Sequence, residues 1–403
     1  MFLHMTMKAA RLLLPAACLL WMTGCWSRVE INDRAFVSGM YVDVSEESGY
    51  EVSLGFPLMS NRLSSGGSMP SGGASDGNPY AIVSKRAGSI PEAIRKIRSD
   101  LSREISWGHC RIIIVGTKMA ESGVDPILEF VTREPNFHTK SYFLVAPGKG
   151  KDITELTPVF ERLPSEVLRE FAERKVTLDT SVKDLLEAAA RGGDAAAALL
   201  TIGKVKMVSE KGKLSTWVGT DGAALFKNGK MVGTFNVQEM RAALWIDGKM
   251  KSSVISLKSP TDGKTISFLI LNSKSQIKPV VSGDRIRFDI RIEAEDDVMS
   301  SESDIDLNDP EQISKIENLL SQQLKGRIMS AIQKTQQMGI DVFAFGRYIE
   351  WRYPKVWYEH QDHWRSTYKN CEFSVVTQVS VKRTGVEKNP IVRQMQRQQG
   401  GSR

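Results

Sequence analysis

Residues 111–116 read Arg-Ile-Ile-Ile-Val-Gly, an unbroken apolar run rich in β-branched side chains. Such a run is typical of a strand that is buried on both faces of a sheet. Upstream, Ser89 and Glu92 have the spacing of a capping box, which predicts a helix as far as about residue 103. Downstream, Asp125-Pro126 begins another helix, and residues 141–146 read as a strand. This alternation of helix and strand predicts a mixed α/β layer.

The rest of the first half extends this layer. Further strands are predicted at 36–44, 50–58 and 80–85, and further helices at 165–175 and 180–191, closed by Gly192-Gly193. Residues 60–79 are rich in Gly and Ser, which predicts a mobile excursion. We place a domain boundary near residue 200, so that residues 25–200 form an N-terminal α/β region of one or two domains.

The second half, residues 201–387, is predicted to be a C-terminal α+β domain. Asn228-Gly229 is a strong signal for a β-hairpin. Asp309-Pro310 begins the longest predicted helix, residues 310–338, whose apolar side chains recur at helical spacing. A strand is expected at 372–382, and the basic, Gln-rich tail 388–403 is expected to be disordered. The predicted fold class is α+β: mixed β-sheets with packed helices in two to three domains, after an N-terminal lipoprotein signal peptide.

The N-terminus has the features of a secretory signal. Lys8 and Arg11 precede an apolar run at residues 12–22, which is too short for a spanning helix of about 20 residues. The run ends in Met22-Thr23-Gly24-Cys25, which resembles the bacterial lipobox. We therefore predict that residues 1–24 are removed and that Cys25 carries an S-diacylglyceryl group. Two acyl chains hold a protein stably at a membrane, whereas one holds it only marginally.

Composition narrows the classes of partner. The formal net charge is +7 and falls by two with the signal peptide, because Lys8 and Arg11 leave with it. This mild basicity suits a surface near anionic lipid, but it is too diffuse for nucleic acid. Cys110 and Cys371 are the other cysteines of the mature chain; they could pair, although Cys110 beside an apolar strand favours a buried thiol.

Several short strings imitate catalytic motifs without the context that such motifs need. Gly73-Ala74-Ser75-Asp76-Gly77 matches a nucleophile elbow, yet it lies in the Gly/Ser-rich excursion and not between a strand and a helix. Asp262-Gly263-Lys264-Thr265 resembles the end of a phosphate-binding loop, but Lys258 stands where the first glycine is needed, so we expect a hairpin turn.

Two further patterns suggest metal ligands weakly. Asp304, Asp306 and Asn308 have the opening spacing of a calcium loop, but Asp309 replaces its glycine and Lys315 its bidentate acid. His360 and His363 could share one helix face without an evident third ligand. We interpret the first as a solvated acidic loop and the second as part of a packed aromatic segment. No metal, cofactor or catalytic residue is predicted.

A series of short motifs, spread in order over the mature chain, resembles the C subunits of spore germination nutrient receptors, the Ger(x)C family. In the first half these motifs are Cys25-Trp26-Ser27-Arg28-Val29-Glu30-Ile31-Asn32-Asp33, Ser106-Trp107-Gly108-His109-Cys110-Arg111, Ala120-Glu121-Ser122-Gly123-Val124 and Arg133-Glu134-Pro135. In the second half they are Gly339-Ile340-Asp341-Val342-Phe343-Ala344-Phe345-Gly346, Tyr353-Pro354-Lys355-Val356-Trp357, Trp364 and Arg383-Thr384-Gly385.

The resemblance implies a non-catalytic lipoprotein on the outer face of the cell membrane or spore inner membrane. It implies assembly with integral membrane A and B subunits into a germinant receptor, and it supplies no site residue except Cys25. We expect Trp357, Tyr358 and Trp364 to form a partner contact, with packing onto the long helix as the open alternative. The alternative function is a lipid-anchored solute-binding protein that captures the germinant directly, in a pocket between lobes.

Overall fold

The strand predicted at residues 111–116 lies near the centre of an eight-stranded mixed sheet. The computed structural model describes residues 30–47, 49–58, 79–207 and 212–384. Cys25, Ser75 and the tail 388–403 lie outside these residues, as does nearly all of the excursion 60–79. Within the described residues the predicted fold class is confirmed: the chain is α+β, with mixed sheets and packed helices.

The strands, in chain order, are β1 Arg34–Phe36, β2 Gly39–Val44, β3 Tyr50–Pro57, β4 Tyr80–Ala87, β5 Glu104–Ser106, β6 Ile112–Gly116, β7 Tyr142–Ala146, β8 Ala195–Lys206, β9 Leu214–Lys227, β10 Lys230–Phe235, β11 Val254–Lys258, β12 Thr265–Ser282, β13 Arg285–Ser301 and β14 Glu372–Arg383. The α-helices are Ile90–Ser99, Thr117–Ser122, Asp125–Arg133, Pro164–Glu173, Val182–Ala189, Val237–Ile246, Pro310–Met338, Phe345–Arg352, Pro354–His360 and Trp364–Lys369. Short 3-10 helices are Ile31–Asp33, Gly150–Glu155 and Gln361–His363.

The first sheet has the strand order β10-β9-β8-β7-β6-β2-β3-β4. β2, β6, β7 and β8 are parallel, and antiparallel hairpins extend the sheet at both edges. All five residues of β6 are buried, because helices cover both faces of the sheet at this point. This burial explains why β6 has no alternation of apolar and polar residues.

The first sheet draws strands from both sides of the boundary predicted near residue 200. β8 crosses that residue, and the β9–β10 hairpin continues the sheet to Phe235. The hairpin turns at Asn228-Gly229 with both residues at positive φ, which confirms the turn predicted there. The division of the chain into domains at residue 200 stays a prediction.

The second sheet, β11-β12-β13-β14, packs against the long helix Pro310–Met338. The helix has the bounds predicted from its apolar spacing, and its buried stripe includes Ile316, Leu320, Leu324 and Ile328. The same helix also protects the sheet edge: the backbone N–H of Val379 donates to Ser321 Oγ at 3.0 Å, and that of Val381 to Glu317 Oε1 at 2.8 Å. Side chains of the helix therefore satisfy donors that an edge strand would otherwise leave free.

Candidate functional site

The aromatic segment predicted as a partner contact forms the short helices that follow the long helix. Trp364 is buried, and its Nε1–H donates to Asp341 Oδ2 at 2.8 Å. Trp357 is half-buried, with its ring centre 5.4 Å from that of Trp364. Tyr358 is 77% exposed. Two of the three predicted contact residues thus pack within the protein, and Tyr358 lies at the surface.

Asp341 is a buried carboxylate that holds this segment in place. It follows Gly339, which ends the long helix in the left-handed conformation that glycine favours. Its oxygens accept hydrogen bonds from the backbone N–H of Phe345 at 2.9 Å and of Gly346 at 2.8 Å. Burial raises the pKa of Asp341 to about 6, although these hydrogen bonds favour its charged form. A buried charge with three donors is a strong organiser of local structure.

Asp341 also belongs to a polar network, here named the latch, formed by Asp194, Asn228, Asp341 and Arg365. The backbone N–H of Asp341 donates to Asp194 Oδ2 at 3.0 Å. Arg365 Nη2 donates to Asp194 Oδ1 and to Asn228 Oδ1, each at 2.6 Å, and to the carbonyl of Gly192. Asp194 and Asn228 border strands of the first sheet. Asp341 follows the long helix and Arg365 belongs to the helix Trp364–Lys369, and both of these helices pack around the second sheet. The latch therefore joins the part of the protein built on the first sheet, here called the first lobe, to the part built on the second sheet, the second lobe.

A cleft of about 400 Å³ lies beside the latch, between the two lobes. Arg347 lines it, with its guanidinium 4.4 Å from the centre of the Trp351 ring and Nη1 3.9 Å from Glu187 Oε2. A second ion pair crosses the cleft from Arg191 Nε to Glu350 Oε2 at 3.1 Å. Trp351 is 63% exposed, so the cleft combines charged groups from both lobes with an open aromatic wall.

One carboxylate in the cleft is kept ionised by two lysines. Burial opposes the charge of Asp179, but Lys175 and Lys249 hold its pKa below the usual range. Lys249 Nζ lies 3.1 Å from Asp179 Oδ1, and Lys175 bonds the other oxygen. The lining of the cleft is thus internally paired and carries alternating charges, an arrangement suited to a zwitterionic or polar ligand or to a polar protein surface.

The carboxyl ends of β2, β6 and β7 are the other place where an open α/β sheet commonly binds ligands. In this protein the segment 148–151 fills that position. The carboxylate of Asp43 accepts hydrogen bonds from the backbone N–H of Gly150 at 2.6 Å and of Lys151 at 3.0 Å. Asp43 occupies the donors that an anionic ligand would use, so the crevice is closed by the protein itself.

The remaining chemical motifs have structural roles in the described residues. Asp262, Gly263 and Lys264 lie in the turn between β11 and β12, and Thr265 begins β12, which confirms the hairpin predicted there. The acidic loop around Asp304 is bonded within itself and to Asp262, whose Oδ2 accepts from the Asp304 N–H at 3.0 Å. The rings of His360 and His363 lie 5.2 Å apart, and His360 Nδ1 lies 3.2 Å from Thr367 Oγ1. No three His, Cys, Asp or Glu side chains within the described ranges are placed to share a metal ion.

The two cysteines of the described chain are separate. Cys110 and Cys371 are free and buried, and burial raises the pKa of each thiol to about 12. Cys110 behaves as the buried thiol that its apolar surroundings favour. Between residues 30 and 384, the described part of the chain contains no helix long and apolar enough to cross a bilayer.

Sequence reasoning missed most of the latch. Asp341 was noted only inside a family motif, and Asp194 and Arg365 stand out by no spacing of their own. An isolated Asp in the apolar run 340–345 was the available signal, because a carboxylate there must find buried donors. Asp194 lies 147 residues before Asp341 and 171 residues before Arg365 along the chain, so only the fold brings these groups together.

Comparison with known proteins matches both halves of the chain. Residues 27–202 match the family described as the spore germination protein N-terminal domain, and residues 221–385 match the family described as spore germination B3/GerAC like, C-terminal. The putative spore germination protein YfkR of Bacillus subtilis is 28% identical over 93% of this chain and 96% of its own length. Spore germination protein KC of Bacillus subtilis is 25% identical over 92% of this chain and 94% of its own length.

The fold agrees with a solved structure. The crystal structure of the GerBC protein superposes with a TM-score of 0.55 and 17% identity, covering 85% of this chain and 96% of that one. This likeness supports the α+β architecture, and the two family matches lie in the same order as the motifs noted in the sequence. The chain therefore belongs to the Ger(x)C family of spore germination proteins.

Proposed function

We propose that this chain is the non-catalytic, lipid-anchored C subunit of a germinant receptor and that it acts by assembling with integral membrane A and B subunits. A role in spore germination follows from the family; the anchor and the assembly are the proposed parts. The observation that carries the proposal is the match of both halves to spore germination families directly after a lipobox-like Met22-Thr23-Gly24-Cys25. The proposed location is the outer face of the cell membrane or spore inner membrane.

The anchor has a direct test at Cys25. Cells that express the parent chain should incorporate labelled palmitate into it, and a Cys25→Ala chain should not. Cys110→Ala is the matched control, because that thiol is buried and its loss should leave labelling unchanged. Labelling of the Cys25→Ala chain at the parent level would contradict the anchor.

The proposed contact surface for the membrane subunits consists of the exposed aromatics of the segment. Tyr358 and Trp351 are exposed and available to a partner, whereas Trp357 and Trp364 pack against each other inside the segment. Large aromatic side chains dominate protein interfaces, and truncation of such a residue commonly costs about 2 kcal/mol of binding, or about thirtyfold in affinity.

Co-purification with the A and B subunits tests this surface. Tyr358→Ala and Trp351→Ala should each reduce the amount recovered about tenfold or more, with unchanged thermal unfolding. Phe160→Ala is the matched control, since this side chain is 93% exposed in the first lobe. Equal losses for Phe160→Ala, or no loss for either Tyr358→Ala or Trp351→Ala, would refute the surface.

A second function, direct capture of the germinant, is favoured by the cleft of about 400 Å³ between the lobes. Its charged groups come from both lobes, as a solute-binding site requires. Titration calorimetry of the chain with amino acids and sugars separates the two functions. An adaptor should release no heat, whereas a receptor for solutes should bind, and Arg347→Ala should weaken that binding.

A further inference from the structure

The end of the first sheet that carries the N-terminal segment also carries a large cavity. β2, β6 and β7 are parallel, so the residues before each strand meet at one end of the sheet. The cavity, of about 920 Å³, lies there and is lined by Phe36 before β2, by His109 and Arg111 before β6, and by Lys140 before β7. Because β3 runs antiparallel to β2, Pro57 at its end completes the rim.

The chain upstream of the cavity is too short to hold it far from a membrane. Glu30 is the first described residue and stands five positions after Cys25. Five residues span at most about 18 Å when fully extended. Ile31, which is 70% exposed, already lines the cavity. A lipid on Cys25 therefore places the mouth of the cavity within reach of the bilayer surface.

The charges of the cavity complement an anionic surface. Arg111 and Lys140 are exposed, and neither forms an ion pair with another described residue. Glu173 Oε2 lies 2.8 Å from Arg169 Nη1, and Glu166 Oε2 accepts the backbone N–H of Arg162 at 3.3 Å, which leaves the charge of Glu166 in place. The lining therefore has three Arg or Lys side chains against two Glu. Arg111 and Lys140 are thus the two cations of the lining without a carboxylate partner among the described residues.

The walls of the cavity suit an amphipathic ligand. Ile31, Phe36 and Leu163 provide apolar contacts beside the two cations. The ring of Phe36 packs on His109 with centres 4.8 Å apart, which fixes the aromatic wall next to the basic strand starts. A phospholipid would make both ionic and apolar contacts here. Arg111 and Lys140 would bind its phosphate group, and its glycerol and upper acyl carbons would pack against the apolar wall.

We propose that this cavity faces the bilayer and binds the headgroup of an anionic phospholipid, which orients the first lobe on the membrane. The inference rests on the proposed anchor at Cys25. It predicts that the first lobe docks on the membrane through the end that carries the cavity. The cleft and the latch then have a fixed orientation relative to the membrane. A basic side chain near an anionic surface is worth about fivefold in affinity.

Fluorescence quenching on the lipidated chain tests the orientation. A fluorophore on Thr139→Cys, an exposed position beside Lys140, is compared with one on Asp284→Cys, in the β12–β13 turn of the other lobe. The protein is reconstituted in vesicles that carry quencher on the headgroups. Quenching should be greater at position 139, and equal quenching at the two positions would overturn the proposal.

Lipid composition and charge variants test the headgroup. Vesicles with phosphatidylglycerol should quench position 139 more than vesicles of phosphatidylcholine alone. The docked-to-undocked ratio should fall about fivefold for each of Arg111→Gln and Lys140→Gln. Lys278→Gln, an exposed lysine of the second sheet, is the matched control and should change nothing. Two results would overturn the proposal: quenching at position 139 that does not depend on phosphatidylglycerol, or a loss of quenching for Lys278→Gln as large as that for Arg111→Gln and Lys140→Gln.

These experiments separate failure of the inference from failure of the anchor. A chain without the lipid would not float with vesicles of phosphatidylcholine alone, and labelling at Cys25 would be absent. A chain that floats with both kinds of vesicle but shows no preference at position 139 has its anchor and lacks the headgroup site. All the substituted side chains are exposed, so each variant should keep the thermal unfolding of the parent.

Discussion

Asp296 is a carboxylate buried without a hydrogen-bond partner, and its replacement by asparagine should stabilise the protein at neutral and alkaline pH. The residue is 1% exposed on the inner face of β13, and both oxygens lack a partner in the described structure. Burial, with a smaller contribution from Asp297, raises the pKa of Asp296 from 3.8 to about 7. The folded protein therefore holds a proton that the unfolded chain releases above pH 4.

The sign and size of the effect follow from this difference in proton binding. A carboxyl group with a raised pKa gives its full stability below pH 3.8 and loses it as the pH rises to about 7. The loss amounts to at most about 4 kcal/mol, since a tenfold change in proton affinity is worth about 1.4 kcal/mol. Asparagine keeps the shape without the charge, but its amide is also unpaired. We expect Asp296→Asn to gain about 1–3 kcal/mol at pH 8 and almost nothing at pH 4.

Urea unfolding of parent and variant at pH 4, 6 and 8 measures this prediction. The difference in free energy of unfolding between the two proteins should grow with pH. Asp289→Asn is the matched control, because Asp289 lies on the same strand in an exposed ion pair with Arg287, and its effect should stay within about 0.5 kcal/mol. Parallel curves for Asp296→Asn and its parent would refute the reasoning, since Asp296 would then be ionised in the folded state at no cost.

Three further substitutions test the inter-lobe site. Asp341→Ala leaves three buried donors without an acceptor and should lower the free energy of unfolding by about 3 kcal/mol, measured by chemical denaturation. Arg365→Ala removes the guanidinium that pairs with Asp194 and should speed proteolysis at Gly192-Gly193 severalfold, measured by peptide mapping. Gly346→Ala should also destabilise the protein, by about 2 kcal/mol in thermal unfolding, because its Cβ would lie 2.8 Å from the Trp357 ring.

Each of these outcomes has an opposite that would count against the site as described. An Asp341→Ala protein as stable as its parent would mean that the three donors find other acceptors. Unchanged proteolysis of Arg365→Ala would mean that the latch does not restrain the first lobe. A neutral Gly346→Ala would mean that the Trp357 ring yields without loss of packing.

The sequence anticipated the elements whose signals are local. The long helix has the predicted bounds because its signals are local. The N-cap Asp309, the proline that follows it and the apolar stripe are all close together along the chain. The hairpin at Asn228-Gly229 was predictable for the same reason, since these residues tolerate positive φ. One local prediction was wrong in detail: the helix expected to reach residue 103 ends at Ser99, where Arg98 Nη1 bonds the carbonyl of Leu101 at 2.8 Å.

The aromatic segment could be found in the sequence but not divided into its parts. Its alternating aromatics and charges marked a surface, yet Trp364 is buried and Tyr358 is exposed. Which ring turns inward depends on Asp341, whose carboxylate accepts the Trp364 N–H. Asp194 and Arg365 meet 171 positions apart, and no spacing rule relates residues so distant.

Four features could be predicted from the sequence alone: the signal-like leader, the candidate lipid site at Cys25, the α+β class and the family. Each prediction rests on neighbouring residues or on the order of short motifs. The tertiary structure was needed to identify the latch, the inter-lobe cleft, the crevice closed by Asp43 and the cavity at the end of the first sheet that carries Ile31. These features join groups that are far apart in the chain, and only the packing of two sheets and their helices brings their charges within hydrogen-bond distance.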